Sequence, residues 1–201
     1  MTKVMGPRWA HYFALQAYLL AIVRLVASEY KRVPAMNNLA YLSIGSNLGN
    51  REQNLGNAIQ KLGLIGTVLS VSSIYETEPV EFTDQPMFLN SAVALETAAS
   101  PAQLIEELIA IEKEMGRERI QRKGPRPVDL DILLFADQIV NTDALTIPHP
   151  AMQHRRFVLE PLAEIAPEVM HPVLNKTVRE LLKQLPAGPS VRRIGRAKGP
   201  S

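Results

Sequence analysis

Two aspartates, Asp129 and Asp131, stand two residues apart in the otherwise apolar run VDLDILLF. Side chains alternate along a strand, so both carboxylates would share one face, about 7 Å apart at the backbone and able to converge at their tips. The opposite face would carry Val128, Leu130, Ile132 and Leu134. Carboxylates in an apolar strand need a compensating cation, and oxygen ligands in a chain with 0 cysteines favour Mg²⁺. The pair therefore predicts a metal site.

A basic turn directly precedes the two aspartates. It contains Arg117, Arg119, Arg122, Lys123 and Arg126. Arginine side chains donate forked hydrogen bonds to phosphate oxygens, so this composition indicates a phosphate-binding turn beside the metal site. Two plainer interpretations stay open: the turn is simply solvated, or Arg117 and Arg126 form ion pairs with the aspartates and no metal is bound.

The composition is typical of one globular domain with a substantial core. The chain has 201 residues, of which 46% are hydrophobic and 21% are charged. The net charge of only +2 gives no strong attraction to nucleic acid, and the lack of cysteine excludes disulfides and fits a reducing compartment. We expect a cytoplasmic monomer without a nucleic-acid partner.

Both termini differ from the middle of the chain. Residues 1–36 include an apolar run from Ala10 to Ala27 that is short and polar for a membrane span, so we expect no stable membrane insertion. This extension is interpreted as an amphipathic helix, a targeting segment or the result of a mis-assigned start before Met36. Residues 186–201 are rich in Pro, Gly and Arg and predict a basic disordered tail. The folded domain is predicted to span residues 37–185.

Strands and helices alternate within that domain. Strands are predicted at residues 39–43, 68–75, 88–95, 128–134 and 139–140, and helices at residues 51–62 and 101–116. Ser100, Pro101 and Gln103 form a capping signature at the start of the second helix. The order β-α-β-β-α-β predicts an α+β sandwich, with a mostly antiparallel sheet and helices on one face. The turn GSNLGN, with Gly45 and Gly49, lacks the lysine and spacing of a phosphate loop and is predicted to be structural.

Five segments carry a family resemblance that covers about Leu39 to Pro172. They are AYLSIGSNLGNR, YETEPV, DQPMFLNSAVALET, IEKEMGRERIQRKGPRPVDLDILLF and LTIPHPAMQHRRFVLEPLAEIAP. In this order and spacing the chain resembles the 6-hydroxymethyl-7,8-dihydropterin pyrophosphokinases of folate biosynthesis. The resemblance implies a ferredoxin-like fold, ATP as co-substrate, two Mg²⁺ ions, and transfer of the intact pyrophosphoryl group of ATP to the pterin hydroxymethyl group with release of AMP.

The resemblance also implies roles for individual residues. The catalytic residues would be Arg117, Arg126, Asp129 and Asp131, with Asp129 and Asp131 as the metal ligands. The ATP-binding residues would be Glu112, Arg119, Arg126, Ile132, Thr146, His149 and Arg155. The pterin-binding residues would be Thr77, Pro79, Val80, Phe88, Asn90, Asp129 and Phe157. In this group the phenylalanines offer flat surfaces for the ring, and Asn90 offers a donor and an acceptor to its edge.

Two other classes of function remain as alternatives. An RNA-binding module would share this fold, but it would need stacking aromatic residues on its central strands, and aromatic residues make up only 5% of the chain. A non-catalytic pterin-binding homologue is the other alternative, because Lys123 stands where many family members have tryptophan and Ala144 where others have a basic residue.

Overall fold

The computed structural model describes residues 38–79, 85–117, 124–188 and 190–196. The strands are β1 (Asn38–Ser46), β2 (Thr67–Val71), β3 (Ser73–Thr77), β4 (Phe88–Thr97), β5 (Asp129–Phe135), β6 (Val140–Asn141), β7 (Thr146–Ile147), β8 (Met170–His171), β9 (Lys176–Thr177) and β10 (Val191–Arg196). The helices are α1 (Arg51–Ile65), α2 (Pro101–Glu114), α3 (Arg156–Ile165) and α4 (Val178–Gln184). The predictions for residues 1–36 and for Val80, Arg119 and Lys123 lie outside the described residues.

The main sheet has the strand order β10-β3-β4-β1-β5, and β2 also pairs with β4. All of these pairings are antiparallel. Helix α1 follows β1, and helix α2 connects β4 to β5. The first and last strands of the β-α-β-β-α-β unit, β1 and β5, lie side by side. The predicted α+β sandwich with a mostly antiparallel, ferredoxin-like sheet is confirmed.

Helices cover both faces of this sheet, not only one as predicted. Buried residues of α1 and α2, such as Leu55 and Leu108, pack with Leu42 on one face. The second face carries a separate apolar cluster in which Leu159 of α3 and Leu181 of α4 are buried. The sequence prediction stopped before these two C-terminal helices. Within the described ranges, no helix has the length and apolar character needed to cross a membrane.

The capping signature predicted at the start of α2 is confirmed. Ser100 and Gln103 exchange hydrogen bonds, with Gln103 N donating to Ser100 Oγ at 3.3 Å and Ser100 N donating to Gln103 Oε1 at 2.9 Å. Because these bonds join residues three positions apart, the sequence alone was sufficient to predict them. Helix α1 begins after Asn50, whose Oδ1 accepts from Gln53 N at 3.1 Å, a cap that the sequence analysis did not predict.

The predicted strand over residues 68–75 is two strands, separated at Ser72. The Oγ atom of Ser72 accepts a hydrogen bond from Ala92 N at 2.9 Å, and Ser72 N donates to Ala92 O at 2.9 Å. A side chain therefore replaces a backbone group in the pairing with β4, which divides the strand.

The face of Leu134 was predicted wrongly. The β1–β5 register pairs Leu42 with Ile132 but Tyr41 with Leu134, so Leu133 is an extra residue in a bulge. The bulge shifts the alternation, and Leu134 packs with Leu133 in the cluster beneath α3. Asp129 precedes the bulge and keeps its predicted face together with Asp131.

The prediction of a disordered tail is corrected for residues 191–196. They form β10, which extends the sheet by pairing with β3, Val191 opposite Thr77 and Arg193 opposite Tyr75. The composition of the segment is polar, but the edge of β3 supplies backbone partners that composition does not reveal. The short strand predicted at residues 139–140 is observed one residue later, as β6.

Candidate active site

A cleft opens on the sheet face that carries the aspartates, next to the start of α3. It is lined by Ser43, Gly45, Thr77, Glu78, Pro79, Gln85, Phe88, Asn90, Arg126, Asp129, Asp131, Arg155 and Phe157. These residues come from β1, β3, β4 and β5, from the loops beside them and from the start of α3. The structure thus brings into one cleft the side chains expected for phosphate, metal and pterin.

Gly45 forms the floor of this cleft. In the sheet it lies between Asn90 of β4 and Asp129 of β5. A Cβ atom at this position would lie 3.0 Å from Asn90 Oδ1 and 3.9 Å from the Cβ atom of Asp129. The glycine therefore leaves room between the amide and the carboxylate. The sequence analysis treated Gly45 only as part of a turn.

Asp129 is held by two arginines. Its Oδ1 atom lies 2.7 Å from Arg117 Nη1, and its Oδ2 atom lies 2.7 Å from Arg126 Nη2. Arg117 also forms an ion pair with Glu112, whose Oε1 atom accepts a hydrogen bond from Leu130 N at 2.8 Å. The ion pairs considered from the sequence are therefore present at Asp129.

The second aspartate has different surroundings. Asp131 has no ion-pair partner within the described part of the chain. Burial and the negative charge of Asp129 raise the pKa of Asp131 to about 7, although Arg155 and Arg126 act in the opposite direction. Burial likewise raises the pKa of Glu112. Asp131 is thus a carboxylate whose ionised form a bound cation would stabilise.

The donor set fits Mg²⁺. Asp129 and Asp131 project from one face of β5 into the cleft and offer only oxygen atoms. Among the residues described, no group of three or more His, Cys, Asp and Glu side chains is arranged to hold a metal. Mg²⁺ commonly takes one or two carboxylates and completes its shell with water and substrate phosphates, so two aspartates suffice for it.

Phe88 and Phe157 form walls of the cleft, and an arginine guanidinium lies over each of the two rings. The guanidinium carbon of Arg126 lies 5.6 Å from the centroid of the Phe88 ring, and that of Arg155 lies 5.8 Å from the Phe157 ring. The buried Nε atom of Arg126 has no hydrogen-bond partner among the described residues. A buried donor without a partner is costly, so Arg126 is prepared to bind an anion.

Asn90 and Thr77 form the polar edge of the cleft. Asn90 Nδ2 donates to Thr77 Oγ1 at 2.7 Å, and both residues are buried. The Oδ1 atom of Asn90 lies on the side of Gly45. This pair can present an amide acceptor to the edge of a flat heterocycle while Thr77 fixes the amide orientation. The side chain of Val80, expected nearby, belongs to the undescribed part of the loop.

Asn47 is a site residue that the sequence analysis missed. It is buried, and its Oδ1 atom accepts a hydrogen bond from Arg126 N at 2.8 Å. Its backbone N–H donates to Arg126 O at 3.2 Å, and its Nδ2 atom donates to Gln85 Oε1 at 3.1 Å. The sequence analysis treated the GSNLGN turn as structural only, but Gly45 lines the cleft and Asn47 joins the two loops on either side of it. The sequence signal that could have identified Asn47 as a site residue is its position directly after a buried strand.

Three of the residues expected to bind nucleotide, Glu112, Ile132 and His149, belong to the outer edge of β5 or bond to it. Ile132 buries its side chain in the core, so only its backbone is left for a ligand. Leu130 N donates to Glu112, away from β1, and the backbone groups two residues further along an edge strand point to the same side, so those of Ile132 also face away from β1. His149 N donates to Leu133 O at 2.9 Å on this edge. Burial lowers the pKa of His149, and Arg155 lowers it further. Thr146 is exposed in β7, and Arg119 lies outside the described residues.

Comparisons with known proteins show which family the chain resembles. Residues 41–167 match the profile of the 7,8-dihydro-6-hydroxymethylpterin-pyrophosphokinase (HPPK) family. The chain is 41% identical over 181 residues to the folic acid synthesis protein fol1 of Schizosaccharomyces pombe, covering 89% of this chain and 25% of that protein. It is 51% identical over 136 residues to the 2-amino-4-hydroxy-6-hydroxymethyldihydropteridine pyrophosphokinase of Bacillus subtilis, covering 67% of this chain and 81% of that protein.

The lengths of these relatives differ. The chain spans a quarter of the S. pombe protein, and 20% of the related folic acid synthesis protein of Pneumocystis carinii. Among solved structures, wild-type Plasmodium falciparum HPPK-DHPS with pterin and p-hydroxybenzoate aligns with a TM-score of 0.59 at 19% identity, covering 74% of this chain and 43% of that one. At this identity the structural match supports the fold alone.

Proposed function

The chain belongs to the 7,8-dihydro-6-hydroxymethylpterin-pyrophosphokinase family, and we propose that it transfers the pyrophosphoryl group of ATP to 6-hydroxymethyl-7,8-dihydropterin in folate biosynthesis. The products would be the pterin diphosphate and AMP. One observation carries the proposal: Asp129 and Asp131 face the same cleft as Asn90, Phe88 and Arg126. This arrangement supports a metal–phosphate site and a site for a flat polar ring in one cavity.

We propose that the pterin ring lies against Phe88 and Phe157 on the walls of the cleft. The Oδ1 atom of Asn90 would accept a hydrogen bond from the ring edge, and the bond to Thr77 would keep the amide from rotating. Gly45 keeps the floor open, because any larger residue would push against Asn90. Pro79, and Val80 after it, would read the ring through their backbone groups.

The triphosphate would lie on the arginine side of the cleft. Arg126 offers the unpartnered Nε atom, and Arg155 lines the same space. Arg117 and Glu112 hold the end of α2 beside β5. Arg119, two residues after Arg117 in the sequence, would donate to the phosphates as well. The backbone of Ile132, with Thr146 and His149, would contact the nucleoside at the strand edge.

Asp129 and Asp131 would hold two Mg²⁺ ions. When bound, these ions would neutralise the triphosphate and make the pterin hydroxyl easier to ionise. Asp129 shares its oxygens with Arg117 and Arg126, so those guanidinium groups are also positioned to turn to the phosphates. Charge neutralisation and positioning are the main demands of phosphoryl transfer, and the cleft supplies residues for both.

The reaction is a single displacement at the β-phosphorus. The hydroxyl oxygen of the pterin forms a bond to this phosphorus and loses its proton to solvent, while the bond to the oxygen of the α-phosphate breaks and AMP leaves with that oxygen. The protein contributes by holding the hydroxyl and the leaving oxygen in line. The Asn90 side would fix the pterin, and the Arg126 side would fix the phosphates.

The RNA-binding alternative finds no support in the described fold. An RNA-binding sheet of this topology stacks bases on an open face, but both faces of this sheet are covered by helices. That the protein acts as a cytoplasmic monomer stays a prediction.

The deciding experiment incubates the full chain with Mg²⁺, ATP and 6-hydroxymethyl-7,8-dihydropterin and measures AMP by chromatography. We expect AMP release by the wild type and none by Asp131→Ala. Asp137→Ala is the matched control, since Asp137 is exposed just after the same strand and lines no part of the cleft. Pterin binding without AMP would identify a non-catalytic homologue, and equal turnover by Asp131→Ala would reject the metal assignment.

A further inference from the structure

The C-terminal strand β10 lies next to the pterin side of the cleft. It pairs with β3, and the pair Val191–Thr77 stands at the end of β3 where the cleft begins. Without β10, β3 would be the edge of the sheet, with one row of backbone groups unpaired. Strand β10 thus determines whether the last residues of β3 are hydrogen-bonded to a neighbouring strand on one side only or on both sides.

A single carboxylate joins β10 to two other elements. Glu164 of α3 accepts hydrogen bonds from Ser73 N at 2.9 Å, from Ser73 Oγ at 2.9 Å and from Tyr75 Oη at 2.8 Å. Arg193 of β10 lies 3.2 Å from the same carboxylate and donates from Nε to Ser73 Oγ at 2.8 Å. The Glu164 cluster, defined as Glu164, Ser73, Tyr75 and Arg193, therefore binds α3, β3 and β10 together.

The charge state of this cluster is well defined. Burial raises the pKa of Glu164, but the hydrogen bonds from Tyr75 and Ser73 outweigh it and hold that pKa below its ordinary value. Burial and the adjacent Glu164 carboxylate raise the pKa of Tyr75 to about 12. Near neutral pH the Glu164 carboxylate is ionised and the Tyr75 phenol is protonated, so the phenol can donate its hydrogen bond to the carboxylate.

A second set of ion pairs stabilises the position of β10. Arg192 of β10 lies 2.6 Å from Glu76 of β3, and Glu76 is 3.3 Å from Arg51. Arg51 donates in turn to Met87 O at 2.7 Å, one residue before Phe88 of the cleft wall. The Glu164 cluster and the Arg192–Glu76–Arg51 ion pairs thus anchor β10 to β3, which carries Thr77, and to the segment that precedes Phe88.

We propose that β10 is a positioning element of the pterin site and that Arg193 and Glu164 are its positioning residues. They fix the end of β3 and, through it, the bond between Thr77 and Asn90. The identity of the ligand rests on the proposed function. Neither residue lines the cleft, so the effect is exerted on pterin affinity through Thr77 and does not involve contact with substrate.

The variant Arg193→Ala tests this proposal in the full chain. The side chain of Arg193 is 56% exposed, and exposed ion pairs contribute little to global stability, so the variant should fold. Arg179→Ala is the matched control, because Arg179 forms a similarly exposed ion pair with Glu168 at 2.6 Å, away from the cleft. The dissociation constants for the pterin and for ATP are measured by calorimetry, and amide hydrogen exchange is measured for residues 73–79.

We expect Arg193→Ala to weaken pterin binding by about 5-fold, with unchanged ATP affinity and faster exchange in residues 73–79. Arg193→Lys should regain part of the affinity, because lysine can pair with Glu164 but cannot also donate through Nε to Ser73. Unchanged pterin affinity, or equal loss of pterin and ATP affinity, would overturn the proposal. Failure of the wild type to release AMP would reject the proposed function alone, since the binding comparison needs no turnover.

Discussion

The Nη2 atom of Arg126 lies 2.7 Å from the Oδ2 atom of Asp129, three residues further along the chain. The same guanidinium stands over the ring of Phe88 and leaves its Nε atom without a partner among the described residues. This side chain therefore contacts the strand that carries the two aspartates and an aromatic wall of the cleft, and it keeps one hydrogen-bond donor available for an anion. Arg126 thus lies between the proposed phosphate and pterin halves of the cleft.

The first prediction concerns the shape of that side chain. Arg126→Lys keeps a positive charge near Asp129 but loses the planar fork and the stacking on Phe88. Losing a hydrogen bond to a charged phosphate typically costs about 1.5–3 kcal/mol, so we expect kcat/KM to fall by roughly 10- to 100-fold. Steady-state AMP release measures the effect. A lysine variant with wild-type kcat/KM would show that only the charge at this position matters.

The second prediction concerns the cleft floor. Gly45→Ala would place a Cβ atom 3.0 Å from Asn90 Oδ1, and the amide must move to accommodate it. Overpacking of this kind costs about 1–3 kcal/mol, so pterin affinity should fall by roughly 10-fold or more, with ATP affinity little changed. Titration calorimetry with each ligand tests this expectation.

The matched control for Gly45 is a glycine in a helix. A Cβ atom added to Gly56 of α1 would meet no other atom within 4 Å, so Gly56→Ala should leave both affinities unchanged and stabilise the protein by about 0.5–1 kcal/mol. If the two alanine variants bind the pterin equally well, the open floor at Gly45 has no role in binding.

The third prediction concerns Asn47. Asn47→Ala removes the acceptor of Arg126 N and the donor to Gln85, and leaves a polar backbone group without its 2.8 Å bond. A buried group left unpaired costs about 1–3 kcal/mol, so chemical denaturation should show a loss of that size. The KM for ATP should rise as well, because Asn47 orients the residue that carries the phosphate-binding guanidinium. A stability loss without any change in KM would limit Asn47 to a structural role.

The fourth prediction concerns the pH dependence of stability. The pKa of Asp131 is raised from 3.8 to about 7 in the folded protein, so folding is penalised when this carboxyl must ionise. The penalty is absent below about pH 4, grows as the pH rises, and is complete above about pH 7, at an order of 2–4 kcal/mol. Asp131→Asn should therefore be more stable than the wild type at about pH 8 without metal, by about 5 °C or more in Tm.

Thermal melting in EDTA at several pH values tests this sign. The advantage of the Asp131→Asn variant should shrink as the pH falls from about 7 towards about 4, because the wild-type carboxyl is then neutral in the folded state. Excess Mg²⁺ should stabilise the wild type and not this variant. A gain in Tm that is independent of pH would show that the ionisation of Asp131 carries no folding penalty.

Local signals in the sequence were reliable because they depend on residues close together in the chain. The capping bonds of Ser100 and Gln103 need only a helical start, and the common face of Asp129 and Asp131 needs only an extended backbone. The element order predicted the antiparallel sheet because a β-α-β-β-α-β chain has few compact arrangements.

The tertiary structure decided what depends on distant partners. The bulge at Leu133 places Leu134 on the face opposite to the predicted one. Residues 191–196 form a strand because they pair with the edge of β3. Helices α3 and α4 pack on the second apolar face of the sheet. Likewise, only the folded chain shows that Asn47 binds Arg126, 79 positions away. The sequence by itself determined which chemical groups were available and the local geometry of β5. Their assembly into one cleft required the tertiary structure, because packing and hydrogen bonding between remote segments set those distances.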